Sequence, residues 1–560
     1  MARSPSPSKN TQRSRLMALR PDGLTVLSAV IIVLSFPPYD VYPLIWICLV
    51  PWFFALRKAR DWRQALLQGV WLSFFMTILG FHWVARVLHQ YGQVPWAAAI
   101  LGLLLFGLGG QPQFLLFAPL GSRFLRESRP DRVRWWGAGL SVALALAYAG
   151  VDWALPKLWV DTLGHSLYRA RNLRQVADLG GAAILTVLVY LVNDLVYRLV
   201  LRIRARREPS LLPVVSATGP LAAIVLIVVL ASWNYGFFRG RAIRELQASP
   251  LATVQAGVIQ ANIGDFDKVA SESGVNGAAE KVLGTFFSLS DQALALSPKP
   301  EMLVWPETSY PGTFRTPHEA SDLYRDQKLE RYVRERGIPL FFGGYDTQGR
   351  KDYNAFFFLS PKPLPGVGGE GDLQIYRKSV LLLFGEFIPG AESIKALRDA
   401  FPQVGNFGRG PGPSVYDLPT SNPAMPTFKA GPIICYEALF PWFGIGLARK
   451  GAQMMINVTN DSWFGTFGEP QLHLALTAFR SIETRIPQLR ATNTGISALI
   501  LPDGEITHQT PLNEPLVMSV PVPILPRVET LIVRWGDWFG LTALLLGLGT
   551  LILAARREAR

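Results

Sequence analysis

Two apolar patterns divide this 560-residue chain. The first is a set of long, nearly unbroken hydrophobic stretches at residues 23–38, 41–56, 65–87, 95–120, 136–155, 180–201, 212–236 and, after a wide gap, 537–555. Several approach the roughly 20 apolar residues that a helix needs to cross a bilayer. The first two are short and Pro37–Pro38 stands between them, which predicts a tight helical hairpin. No small-residue cleavage site follows the first stretch, so a cleavable signal peptide is not expected. Ahead of it, residues 1–22 are rich in Ser, Pro and Arg and are expected to be a disordered tail.

The second pattern occupies the gap. Short β-branched and aromatic runs (TVQAGVIQA, EMLVWPE, IPLFFGGY, NAFFFLS, AGPIICYE, AQMMINVTN, ISALILP) alternate with helical stretches such as AAEKVLGTFFSLSDQALAL and EASDLYRDQKLERYVRERG. Strands alternating with helices predict a layered α/β or α+β domain, and about 280 residues suffice for a core of its own. The expected organisation is therefore a seven-span bundle at 23–238, a soluble domain at 245–526, a final span at 535–555 and a short tail at 556–560.

Charge orients this layout. The net charge is +14, with 49% hydrophobic and only 17% charged residues and a mean hydropathy of +0.23. Lys and Arg cluster before the first stretch, after the second, fourth and sixth, and at the C-terminus, whereas PPYDV and HQYGQ carry none. Lys157, Arg169, Arg171 and Arg174 weaken the alternation without reversing it. By the positive-inside rule both termini are cytoplasmic, eight spans fit, and residues from about 240 to 530 lie outside. The positive charge thus reads as a topology signal, and no nucleic-acid partner is needed to explain it. The arginines at 169, 171 and 174 are expected to flank an interfacial helix rather than to grip head groups. Asp152 and Asp194 are the main acidic residues in or near the spans.

Two cysteines, Cys48 and Cys435, are too few for a disulfide framework, and six scattered histidines, His82 and His89 among them, give no metal-site spacing. Three residues instead follow apolar runs where a layered domain brings chemistry to its strand ends: Glu307 after EMLVWP, Lys378 after LQIYR and Cys435 after PII. Glu386 lies eight residues beyond Lys378. A carboxylate base, an ammonium and a thiol form a sufficient kit for acyl transfer without histidine. Each residue alone also has a bland reading as a loop brace, a solvated lysine or a buried small hydrophobe. Asn460, Asp461 and Trp463 in NDSWFG read as loop-shaping residues. A membrane-tethered hydrolase and a non-catalytic sensor or transporter are the competing functions.

Four motifs taken in order narrow these options. WPET, YRK with LLLFGEFIP, CYE and NVTNDSWFG resemble the carbon–nitrogen hydrolase (nitrilase) superfamily. With spans on both sides, the chain is similar to the bacterial apolipoprotein N-acyltransferase family. That resemblance implies an αββα layered sandwich outside the inner membrane, and a Glu307–Lys378–Cys435 triad without cofactor or metal. It further implies supporting roles for Glu386, Tyr436 and Glu437, the Tyr436 N–H pointing at the oxyanion. The implied reaction moves a fatty acyl chain from a phospholipid, through a Cys thioester, to the amine of a diacylglyceryl-cysteine on an apolipoprotein. A monomer is expected. Two departures concern substrate contacts: Val269 stands where the family often has Trp, and Arg485-Ile486-Pro487 replaces the usual Arg-Pro pair.

Overall fold

The computed structural model describes residues 20–90, 92–126, 134–204, 212–264, 277–316, 320–349, 351–363, 372–383, 385–388, 390, 394–395 and 407–559. Val269 and most of the N-terminal tail lie outside the described residues.

Among the described residues of the apolar half, five helices are long and apolar enough to cross a membrane: Trp96–Leu125, Trp135–Ala154, Ala182–Arg204, Thr218–Ala248 and Trp538–Arg557. A sixth results if Trp62–Gly80 and Trp83–Gln90, bent by 65° at their junction, count as one span. The first hydrophobic stretch is the 13-residue helix Gly23–Ser35, which at ~1.5 Å per residue is ~20 Å long and by itself shorter than a ~30 Å hydrocarbon core. The second is a 3-10 turn, Tyr42–Ile47, followed by the helix Val50–Lys58. The last span packs along the Arg134–Ala154 helix through glycines. A Cβ on Gly150 would sit 2.3 Å from Leu544 Cα, and one on Gly547 would sit 2.3 Å from the Ala147 nitrogen. Small residues bring the two backbones together, as van der Waals packing between helices in lipid requires.

The helix expected to end near residue 236 runs on to Ala248. Nothing in RGRAIRELQA breaks it, and its polar extension is anchored: Arg239 Nε donates to Asp178 at 2.8 Å, and Arg244 Nη1 pairs with Asp503 at 3.5 Å.

Among the described residues, the second half holds two six-stranded sheets, ordered β12-β1-β2-β3-β4-β5 and β11-β10-β9-β8-β7-β6. In chain order these strands are β1 Ala252–Gln260, β2 Met302–Val304, β3 Leu340–Gln348, β4 Lys351–Leu359, β5 Leu373–Arg377, β6 Tyr416–Pro419, β7 Thr427–Ile434, β8 Met454–Thr459, β9 Gln488–Thr492, β10 Ala498–Ile500, β11 Ile506–Thr507 and β12 Leu516–Ile524. Side chains alternate faces along a strand, and the packing follows that period. Met302, Val304, Phe341, Phe356 and Phe358 join Ile433, Met454 and Ile456 of the other sheet in one core. Their neighbours Leu303, Phe342 and Phe357 face outward, packing with Leu283 and Phe286 of helix Ala278–Leu294 and Leu329 and Val333 of helix Ala320–Arg336. The central strands therefore read as continuous apolar runs because both faces are covered.

Buried arginines join the two halves. Arg485, in left-handed conformation (φ 60) just after the helix Glu469–Thr484, donates to Asp178 at 2.8 and 3.2 Å and to Gln175 Oε1 at 2.5 Å. Its role in this chain is thus a tie to the apolar half. Arg174 donates to the carbonyls of Asp503 and Tyr168, Arg169 pairs with Asp40 at 2.7 Å, and Arg171 lies 3.9 Å from Glu505. All three arginines have partners within the protein. Asp152 and Asp194 are likewise paired, with Lys157 and Arg198.

Candidate active site

Cys435 immediately follows β7 and opens the short 3-10 turn Cys435–Leu439. Its φ is 49, a left-handed conformation that costs a side-chain-bearing residue roughly 1–2 kcal/mol. The turn is held by Glu437, which is fully buried. One carboxylate oxygen accepts from Tyr376 Oη (2.7 Å), Ser379 N (2.7 Å), Ser379 Oγ (2.9 Å) and Val380 N (3.2 Å). The other accepts from Ile434 N at 2.8 Å. Glu437 therefore staples the segment carrying Cys435 to the segment carrying Lys378. Burial pushes its carboxyl pKa up, against the pull of Tyr376 and the backbone donors.

Glu307 reaches the same place from β2. The chain turns after Trp305-Pro306 and packs on β3 where Gly343 leaves no side chain. A Cβ there would lie 2.4 Å from Thr308 N and 2.6 Å from Glu307 Cα. Lys378 follows β5. Its Nζ donates to Glu307 Oε1 at 3.1 Å and to Glu386 Oε1 at 2.8 Å. Glu307, Lys378 and Cys435 are all at most 7% exposed. Asn354 of β4 completes the cage, its amide donating to Glu307 Oε1 at 2.7 Å and Glu386 Oε1 at 2.9 Å. The second oxygen of Glu307 accepts the Asn460 N–H at 3.0 Å.

Charge in this pocket decides the resting protonation. Burial pushes the Lys378 pKa down, but Glu307, Glu386 and Cys435 outweigh it and hold the ammonium charged. Burial pushes the Cys435 thiol well up, and the negative charges of Glu307 and Asp461 add to that. Lys378 and a hydrogen bond with Thr459 oppose it without winning. A thiol held up in this way needs a base at the moment of attack.

The structure brings together Glu307, Lys378, Glu386, Cys435 and Glu437. Tyr436 points its hydroxyl at the carbonyl of Leu158 in the apolar half, and its ring lies 5.9 Å from Trp159. Sequence reading passed over Asn354, whose signal is one amide inside the apolar run NAFFFLS. It also passed over the partners of Asp461. Asp461 Oδ2 accepts from Arg490 Nη2 at 2.9 Å, and His473 Nδ1 lies 3.4 Å from Asp461 Oδ1 and 3.3 Å from Glu469 Oε1. One donor atom from each of Asp461, Glu469 and His473 falls within 4.8 Å of the others. The Arg490 guanidinium, also 3.2 Å from His473 Nδ1, already sets a fixed positive charge among them, so the group reads as a charge network, not a cation site. The Trp463 side chain lies outside the described residues.

Residues 28–195 match the apolipoprotein N-acyltransferase N-terminal domain, and residues 255–524 match the carbon-nitrogen hydrolase domain. An apolipoprotein N-acyltransferase of Bdellovibrio bacteriovorus is 32% identical over 549 residues, covering 95% of this chain and 94% of its own. The protein of that name from Geobacter metallireducens is 30% identical over 549 residues, covering 96% and 95%. With both halves matched and the likeness running nearly end to end, this chain belongs to the apolipoprotein N-acyltransferase family.

Proposed function

We propose that this protein N-acylates apolipoproteins during lipoprotein maturation, taking the fatty acyl chain from a membrane phospholipid in two half-reactions on Cys435. The observation that carries the reading is the Lys378 ammonium held between Glu307 and Glu386 beside a buried cysteine in a left-handed turn. In the first half-reaction Glu307 takes the thiol proton as sulfur attacks the ester carbonyl. Lys378 and the Tyr436 N–H stabilise the oxyanion. The ester C–O bond breaks, the proton passes from Glu307 to the leaving oxygen, and lysophospholipid departs from a Cys435 thioester. In the second, Glu307 accepts a proton from the α-amine of a diacylglyceryl-cysteine as nitrogen attacks the thioester. The C–S bond breaks, the proton passes from Glu307 to sulfur, and the amide departs from a restored Cys435 thiol.

The five apolar helices and the pairing of Tyr436 with Leu158 and Trp159 support a site at the membrane surface. Our reading is a multi-pass protein of the bacterial inner membrane with eight spans. Both termini are cytoplasmic, the catalytic domain is extracytoplasmic, and the protein acts as a monomer without a cofactor. The test is transfer of a labelled acyl chain from phospholipid to a diacylglyceryl-cysteine peptide by the purified protein. Wild type should yield acylated peptide, while Glu307→Gln, Lys378→Ala and Cys435→Ala should yield none. Unchanged transfer by any of the three variants would remove that residue from the mechanism.

A further inference from the structure

Three consecutive residues at the end of β8 touch three different things. The Thr459 side chain lies close enough to the Cys435 thiol to act on it, and the Asn460 N–H donates to Glu307 Oε2 at 3.0 Å. Asp461 turns away to Arg490, at 2.9 Å, and also accepts from Thr459 Oγ1 at 3.1 Å. The nucleophile and its base are therefore both referenced to one short piece of backbone. What fixes that piece is the group behind it.

The group is wholly buried: Asp461 is 1% exposed, and Glu469, His473 and Arg490 are 0% exposed. Arg490 spans it with its two terminal nitrogens, one on Asn457 Oδ1 of β8 at 2.7 Å and the other on Asp461. A planar fork can hold a strand and the loop that follows it in one geometry, which a lysine cannot do. Gly495 closes the other side, since a Cβ there would lie 2.1 Å from Asp461 Oδ2. Two observations say the group is more than packing. Glu469 Oε2 and His473 Nε2 are buried without a hydrogen-bond partner among the described residues, a cost that folding alone gives no reason to keep. The cluster also lies close enough for the Asp461 charge to act on the Cys435 thiol.

We infer that Asp461, clamped by Arg490 and faced by His473 and Glu469, is a positioning residue for acyl transfer. It holds Thr459 against the Cys435 sulfur and the Asn460 N–H against Glu307. The inference rests on the proposed function only in naming Cys435 as the nucleophile.

The same geometry gives Asp461 two opposed effects, which makes the role separable from simple structural support. Its negative charge disfavours the thiolate, while its hydrogen bonds hold the reacting groups in place. Asp461→Asn should therefore make Cys435 easier to ionise and yet slow acyl transfer. Arg490→Lys keeps the positive charge and breaks the fork, so it should slow transfer and leave thiol ionisation where it was.

The experiment is alkylation of Cys435 by iodoacetamide across pH in the full-length, detergent-purified protein, read by peptide mass spectrometry. Acyl-transfer kcat and KM are measured on the same samples. We expect Asp461→Asn to move the alkylation profile at least half a pH unit lower while kcat falls at least tenfold and KM stays within twofold. Arg490→Lys should lower kcat similarly with an unmoved profile. Profiles and kcat for both variants superimposing on wild type would overturn the inference. So would a fall in kcat with no profile shift in Asp461→Asn, since that is what general loosening produces. If wild type alkylates normally but transfers no acyl chain, the proposed function fails, and the alkylation profile still decides the role of Asp461.

Discussion

Adding one methyl group at Gly343 should disable a site that contains no glycine chemistry. The Cβ of Gly343→Ala would lie 2.4 Å from Thr308 N and 2.6 Å from Glu307 Cα, where ordinary contact begins near 3.4 Å. Both obstacles are backbone atoms, so no side-chain rotation relieves them. The Glu307 segment must move by about 1 Å. Displacement on that scale costs reactions of this type ~100-fold, or ~2.7 kcal/mol of barrier. Strand propensity works the other way, because Gly in a strand interior is ~0.5–1 kcal/mol worse than Ala, so a loss of rate cannot be charged to weakened β3. Gly344→Ala is the matched control. Its Cβ meets Phe357 Cε2 and Tyr310 Cβ at 3.3 Å and the Tyr310 carbonyl oxygen at 3.6 Å, so shifts of a few tenths of an ångström accommodate it. The assay is the single-turnover rate of Cys435 acylation by labelled phospholipid, with thermal unfolding of each variant recorded. We expect Gly343→Ala to fall about 100-fold and Gly344→Ala to stay within about threefold. Equal rates for the two variants would refute the claim that Gly343 exists to let Glu307 approach.

Three further outcomes follow from the site. Asn354→Leu removes both amide bonds to Glu307 and Glu386, leaving Lys378, among the described residues, as the only side chain holding the two carboxylates together. Transfer should drop by about tenfold or more with little change in KM, and a wild-type rate would show the cage unnecessary. Glu437→Gln sets an NH2 group against at least one of the donors that now converge on it. It should cost about 2 kcal/mol, visible as a lower melting temperature; an unchanged melting temperature would mean that the staple is not under load. Glu483 is buried beside Arg480, and burial raises its pKa from 4.5 to about 7. A carboxyl whose folded pKa lies above its unfolded value stabilises the fold while protonated. That contribution is complete below about pH 4.5 and disappears as pH rises through about 7. Glu483→Gln should flatten the fall in melting temperature over this window, and a slope as steep as wild type would assign it elsewhere.

Much of the candidate site was legible because its residues sit at strand ends. WPET, YRK and CYE each mark a polar group emerging after an apolar run, and the structure gathers all three at one point. The layered fold was legible because short β-branched and aromatic runs alternate with helical stretches, and the runs that are apolar throughout are the strands covered on both faces. What escaped reading was held by partners remote in sequence. Asn354 matters because β4 runs beside β5, and a single amide in an aromatic strand does not announce that neighbour. Asp461 looked like a loop residue until Arg490 and His473, 29 and 12 positions away, were placed against it. The helix end at 236 was misplaced because hydropathy stops there while helix propensity does not, and the extension is stabilised by Asp178 and Asp503. The arginines at 169 and 174 read as membrane-flanking charges, yet their partners are protein groups that only tertiary contact supplies.

The central claim is that Cys435 carries the acyl chain. Its most direct test is the intact mass of the purified protein after incubation with acyl-labelled phospholipid in the absence of acceptor. Wild type should gain one acyl mass, mapped to Cys435 and released by neutral hydroxylamine, and Cys435→Ser should gain no hydroxylamine-labile mass. Lysophospholipid release without any adduct on Cys435, or an adduct that persists in Cys435→Ala, would contradict the account.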